Sequence, residues 1–144
     1  MQLHQIFYIS RATLTMSFDV HQIVAMSRVR NAPLHLTGAL VYSGEFFAQV
    51  VEGRPEDLDT LMVSIRRDPR HSMLWEWPSR AATERWYPDW SMGYLQNDNL
   101  EAVVDHLSKS PAPLPPLEYF VRWLISTSRL NRHSPTASPA QACP

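Results

Sequence analysis

Gln49 sits in the middle of Phe46–Glu52, a run that is otherwise apolar up to its last residue. Taken as a strand, this run puts Phe47, Gln49 and Val51 on one face and Phe46, Ala48, Val50 and Glu52 on the other. A buried primary amide has N–H donors and a carbonyl acceptor to satisfy, and each bond left unmade costs about 1–3 kcal/mol. Two readings are open. Gln49 caps a backbone group or a water, or it faces a polar ligand held against the sheet. Tyr8 shares a face of Leu3–Ser10 with Ile6 and Ser10. If its hydroxyl points under a helix it needs a partner, and Gln49 on a neighbouring strand could supply one.

Other polar or aromatic residues fall near these two without declaring a role. Asn31 ends an amphipathic segment, where Asn is common as a helix C-terminal residue. Asp68-Pro69-Arg70-His71 reads as a solvated turn, and Trp90 and Met92, two apart, as core residues on one face of a strand. No G-x-S-x-G, H-E-x-x-H, Walker or G-x-G-x-x-G motif is present. The chain has 4 glycines, too few for a glycine-rich phosphate cradle, and its 6 histidines have no metal-ligand spacing.

The elements that must position these residues follow from period and punctuation. Leu3–Ser10 reads as a strand. Phe18–Arg30 carries Val20, Ile23, Val24 and Ser27 at helical spacing, and Asn31-Ala32-Pro33 ends it. Leu36–Tyr42 and Phe46–Glu52 form a hairpin around Ser43-Gly44-Glu45. Pro55 suits the first turn of a second helix whose buried face is Leu58, Leu61, Met62 and Ile65, and Asp68-Pro69 stops it. Ser72–Trp77 and Asp89–Leu95 read as two more strands, joined by a short helical or irregular connection over Arg80–Trp86. The order β-α-β-β-α-β plus one strand predicts an α+β, ferredoxin-like sheet with two helices on one face.

Residues 1–96 therefore read as one domain and 97–130 as a helical extension. The extension has a helix over Asn99–Ser108, N-capped by Asp98, and an extended connector, Ser110–Pro116. A second apolar stripe of Leu117, Phe120, Val121, Leu124 and Ile125 is expected to cover the sheet's other face. Residues 131–144, rich in Ser, Pro and Ala, read as a disordered tail.

A formal net charge of −1 gives no bulk attraction for nucleic acid or anionic lipid, so neither is expected as a direct partner. The single cysteine, Cys143, can build neither an internal disulfide nor a zinc site, which suits a reducing cytoplasm. The apolar runs fall short of the roughly 18 residues that a membrane helix needs.

Five segments, taken in order, resemble one known family. They are Gln5-Ile6-Phe7-Tyr8-Ile9-Ser10; Asn31 with Leu36-Thr37-Gly38-Ala39-Leu40-Val41-Tyr42; Phe47-Ala48-Gln49-Val50-Val51-Glu52-Gly53; Asp68-Pro69-Arg70-His71; and Trp90-Ser91-Met92. Together they resemble the BLUF domain, a blue-light sensor using FAD, over about residues 2–95. The resemblance implies a non-covalently bound FAD slotted between the two helices, with Tyr8, Ile23, Asn31, Gln49, Asp68, Arg70 and His71 as its binding residues. It implies that Tyr8 donates an electron, that Gln49 switches hydrogen bonds, and that Trp90 and Met92 border Gln49. It also implies a sensor that is not an enzyme and signals through a separate downstream protein or self-assembly as a homo-oligomer. Two positions depart from the family's pattern. Ser64 stands where a basic or imidazole side chain is common, leaving Arg66 or Arg67 to take up its contact, and Arg30 stands where Asn or His is common.

Two other functions are compatible with this fold. An acylphosphatase-like hydrolase needs backbone N–H groups converging on phosphate, and Arg11-Ala12-Thr13-Leu14-Thr15 has no glycine to allow that. A ligand-free interaction module leaves Tyr8 and Gln49 without a reason.

Overall fold

The ladder at the centre of the sheet is fixed by alternation. In the computed structural model, which describes residues 2–13, 19–109 and 116–130, β1 (Leu3–Ala12) pairs antiparallel with β3 (Phe46–Gly53). The register sets Tyr8 opposite Gln49 and Ile9 opposite Ala48. Both strands are buried on both faces, which is why each reads as a nearly continuous apolar run. β2 (Thr37–Tyr42) completes the hairpin with β3, and Gly44 takes φ 99° at its turn, a conformation glycine adopts without steric cost.

α1 (Val20–Asn31) is capped by Asp19, whose carboxylate accepts from the His21 N–H at 2.9 Å. A 3₁₀ turn, Ala32–Leu34, follows, and His35 closes it in the left-handed region at φ 54°. α2 (Pro55–Arg67) starts on Pro55, carries Glu56 and Asp57 in its first turn, and ends with Arg66 and Arg67. That distribution complements the helix dipole. Both helices lie on one face of the sheet. Val24, Leu58, Leu61, Met62 and Ile65 pack there against Ile6, Tyr8, Leu40, Phe47 and Val51.

β4 (His71–Ala82) pairs with β1 and forms an edge. It runs past the expected end at Trp77, so Arg80–Ala82 is strand and not a helical connection. The cause is β1, which offers partners as far as Leu3, opposite Ala82. Pro78 sits where the register shifts between Gln5 and Phe7, a bulge on an edge strand that tolerates proline. β5 (Gly93–Gln96) lies parallel to β2 and is shorter than the expected Asp89–Leu95. β6 (Arg129–Leu130) adds beside it, giving the order β4-β1-β3-β2-β5-β6. The first four strands have the ferredoxin-like arrangement.

The second face is closed by α3 (Leu100–Lys109) and α4 (Leu117–Ser126). Leu100, Val103, Val104, Val121, Leu124 and Ile125 form one cluster with Phe7, Ile9, Val41, Ala48, Val50 and a group of aromatics, Trp77, Trp86, Tyr87 and Trp90. The turn into α3 is organised by Asn97 where Asp98 was the expected cap. Asn97 Oδ1 accepts from the Asn99 N–H at 2.9 Å and its carbonyl from Leu100. Its Nδ2 also donates to the Leu124 carbonyl at 3.1 Å, tying the two helices together. Most of the connector at 110–116, the tail at 131–144, residue Phe18 and the side chains of Leu117 and Phe120 fall outside the described residues.

Candidate functional site

Strand alternation aims Tyr8 and Gln49 at the α1/α2 face, and their positions opposite each other in the ladder bring the side chains together. The Tyr8 hydroxyl donates to Gln49 Oε1 at 2.5 Å, and both residues are buried. The Gln49 Nε2 donates to the Met92 sulfur at 3.5 Å. A thioether is a weak acceptor, so this buried amide is strongly held on one side and loosely on the other.

Tyr8 and Gln49 form part of the wall of a cavity of about 210 Å³ between α1, α2 and the sheet. Ile23, Asp68, Arg70 and His71 line it too, so six of the residues expected at a binding site meet here. Its remaining walls are Met26, Ser27 and Arg30 of α1, Leu40 and Phe47 of the sheet, and Ile65 of α2. Met26 is 62% exposed at this cavity, a large apolar side chain left in water unless something covers it. The signal for it was in the sequence: α1 spreads Val20, Ile23, Val24 and Met26 over more than one face, as a helix meeting two surfaces would.

Burial pushes the Tyr8 phenol well above its ordinary range, with Arg30 opposing and Asp68 adding to the rise. Tyr8 is therefore a neutral hydrogen-bond donor at physiological pH. Arg70 forms a fork on Asp68, with Nη2 to Oδ2 at 2.5 Å and Nε to Oδ1 at 2.9 Å. That hydrogen bonding holds the Asp68 carboxyl below the usual carboxylate range and raises Arg70 in turn. His71 Nε2 lies 2.7 Å from the Ile65 carbonyl, which can only accept, so Nε2 carries a proton. Its Nδ1 lies 2.7 Å from the Ser10 hydroxyl. The ring is thus fixed beside Tyr8, centroids 5.9 Å apart.

Asn31 and Trp90 are placed differently. Asn31 is fully buried but is not a lining residue of the cavity. Its Nδ2 donates to the Ser91 carbonyl at 2.8 Å and its Oδ1 accepts from Arg30 Nε at 3.1 Å. Trp90 does not share a face with Met92. It belongs to the opposite cluster, stacked on Tyr87 with centroids 5.7 Å apart, whereas Met92 packs with Tyr8. The alternation rule fails because β5 begins only at Gly93, so residues 90–92 are not strand. Gly93 is required beside the indole, since a Cβ there would lie 2.1 Å from Trp90 Cε3. Ser64 is exposed, and Arg66 is engaged with Glu76 at 2.8 Å on the far side of α2.

Among the described residues no metal-binding cluster occurs, and no helix is long and apolar enough to cross a membrane. The profile of the family described as BLUF, sensors of blue-light using FAD, matches residues 3–93. Subunit beta of the photoactivated adenylate cyclase of Euglena gracilis is 34% identical over 107 residues, 72% of this chain and 12% of that protein. Subunit alpha is 33% identical over 114 residues, covering 77% and 10%. The chain thus spans only about a tenth of these relatives. Among solved structures, BlrB, a BLUF protein in its dark state, is 37% identical with a TM-score of 0.63, covering 75% of this chain and 83% of BlrB. The BLUF structure of BlrP1 gives 27% and 0.66, covering 86% and 88%. Every residue that lines the cavity lies inside the matched stretch, and by that match the chain belongs to the BLUF family, the sensors of blue light that use FAD.

Proposed function

We propose that this chain is a blue-light photoreceptor in which Tyr8 is the electron donor and Gln49 the hydrogen-bond switch. The observation that carries the reading is the short Tyr8–Gln49 hydrogen bond in the cavity wall, with the amide's other end resting on a thioether. The residues present fit the family's cofactor. The cavity lies between two helices, its walls combine apolar Ile23, Leu40, Phe47 and Ile65 with the polar Gln49 and Arg30, and the Gln49 N–H group has no strong protein acceptor. FAD, when bound, supplies the visible absorption and an excited ring that takes up an electron and a proton.

The chain's own part follows from its hydrogen bonds. Because burial disfavours the phenolate, Tyr8 gives up its proton together with its electron, and the Gln49 carbonyl oxygen is the acceptor in line. Gln49 can then rotate or tautomerise. Its N–H group leaves only a weak bond to sulfur, so the barrier is low on that side. Met92 and Asn31 join Gln49 and α1 to the segment before β5 through the Met92 sulfur and the Ser91 carbonyl. A change at Gln49 therefore reaches residues 91–92 first. The domain itself catalyses no thermal reaction, and the signal leaves it through a partner protein or a change in self-association.

The test is an absorption spectrum of the purified protein before and after blue light, with the chromophore extracted and identified. The expected outcome is non-covalent FAD and a reversible red shift. A colourless protein that takes up no FAD on reconstitution would refute the reading.

A further inference from the structure

Glu52 is the most deeply buried carboxylate among the described residues, with no exposed surface, and it faces away from the cavity. Every group that touches its carboxylate is a donor. Oε1 accepts from Thr37 Oγ1 at 3.0 Å and from the Tyr87 N–H at 2.9 Å. Oε2 accepts from Gln5 Nε2 at 2.8 Å and from the Trp86 N–H at 2.6 Å. Arg85 Nη1 donates to Thr37 Oγ1 at 2.8 Å and to the Glu52 backbone carbonyl at 3.3 Å. Burying a carboxylate is costly unless such donors replace water. An apolar residue here would leave the Trp86 and Tyr87 N–H groups and the Gln5 amide without these acceptors, so the carboxylate fixes where residues 86 and 87 lie.

The segment that Glu52 holds is the one that carries Met92. From Trp86 and Tyr87 the chain turns, the Trp90 N–H donating to the Tyr87 carbonyl at 3.2 Å. The Trp90 carbonyl accepts from Gly38 of β2 at 2.9 Å. The Ser91 and Met92 carbonyls accept from Asn31 Nδ2 and Arg28 Nε, each at 2.8 Å. Residues 85–92 are thus a strap, fixed at its start by a carboxylate three residues beyond Gln49 on the same strand. At its end it delivers the sulfur that touches Gln49 Nε2. A contact as weak as N–H to thioether cannot set its own geometry, so the strap sets it.

We propose that Glu52 is a positioning residue for the photoactive pair, clamping the start of the 85–92 strap so that the Met92 sulfur meets the Gln49 amide. This rests on the reading of Gln49 as the switch. The residue would act without touching the cofactor.

The experiment uses the full FAD-loaded chain carrying Glu52→Gln, which keeps the side chain's volume but replaces one acceptor oxygen with an amide nitrogen that cannot accept from Trp86 or Tyr87. Val104→Ala, a small truncation in the same face's core, is the control for lost stability. Two signals are read: the Met92 methyl resonance in the dark, and the rate of return to the dark spectrum after blue light. The expected result is a shifted Met92 resonance and a recovery rate altered by roughly fivefold or more in Glu52→Gln, with neither change in Val104→Ala. A folded Glu52→Gln with Met92 unmoved and recovery as in wild type overturns the proposal, as does an equal response in Val104→Ala. Should Glu52→Gln not fold, Thr37→Val removes one donor to the carboxylate, and with it the hydroxyl that accepts from Arg85, and is held to the same two signals. If the wild-type protein has no light response, the function proposed above has failed, and the dark Met92 resonance alone decides the clamp.

Discussion

The two faces of the sheet are built on opposite rules. Behind it, α3 and α4 meet the strands in one continuous cluster of Val, Leu, Ile and Trp side chains, and the buried Glu52 carboxylate on that face is held by donors on every side. In front, α1 and α2 leave a cavity of about 210 Å³ whose wall includes a phenol, an amide and a forked Arg–Asp pair. A back face of this kind holds the strands rigid. A front face with an amide bound to sulfur on one side can change its hydrogen bonds at small cost. On the proposed function the adaptable hydrogen bonds lie in front and most of the apolar packing behind, and substitutions should separate the two properties accordingly.

The largest effect is expected at Tyr8. Tyr8→Phe removes one hydroxyl and keeps the packing, so FAD should remain bound while the light-induced red shift is lost. Gln49→Leu should behave the same way by removing the switching amide. A spectrum that still shifts reversibly in either variant would mean that the front-face pair is not the switch.

Behind the sheet the prediction reverses. Leu124 is fully buried in the back cluster. Leu124→Ala should cost about 2–5 kcal/mol of stability, as large-to-small core substitutions do, read as a lower unfolding midpoint. The red shift of the folded fraction should be preserved. Loss of the shift without loss of stability would erase the distinction between the faces.

Asn31→Ala tests the seam between them. Removing its amide leaves the Ser91 carbonyl without that donor, a cost of about 1–3 kcal/mol for a buried group. It also removes the partner of Arg30, which lines the cavity. Both stability and FAD occupancy at limiting FAD should fall. Occupancy equal to wild type would confine Asn31 to a structural role.

What was legible in the sequence follows the same division. The Tyr8–Gln49 pair could be anticipated because strand alternation is a strict period and an unexpected amide in an apolar run is a local signal. The stripes of α2 and α4 were legible for the same reason. Residues 83–92 were not. They have no period, so nothing in Trp90-Ser91-Met92 tells which side of the sheet each side chain takes. The side is decided by hydrogen bonds to the Glu52 carboxylate and from Asn31 and Gly38, all distant in sequence. Arg30 could be seen as unusual in type, but its place on the cavity wall emerges only once α1 is set on the sheet.

The smallest effect is expected at Asp68 and Arg70. The Asp68 carboxyl is held below the usual carboxylate range, first by hydrogen bonds from the Arg70 side chain and less by the Arg70 backbone N–H, with burial opposing. A carboxylate depressed in this way stabilises the fold at pH values above its unfolded pKa of about 3.9, and that contribution is lost as the pH falls through its folded value. Nothing should change across the neutral range, and the loss should be confined to pH below about 4. Its size should be modest, because the pair is 25% and 37% exposed and solvent-screened pairs contribute about 0–1 kcal/mol. Asp68→Asn should therefore lower the unfolding midpoint by only a few degrees at pH 7 and flatten the acid side of the stability profile. Its more telling consequence lies in the cavity, where Arg70 loses its carboxylate partner and its side chain is no longer fixed at the wall. Melting curves at pH 7 and near pH 3, with and without FAD, measure both. If Asp68→Asn costs as much stability as Leu124→Ala, the front face carries structural weight as well, and the separation of switch from scaffold is weaker than the two clusters imply.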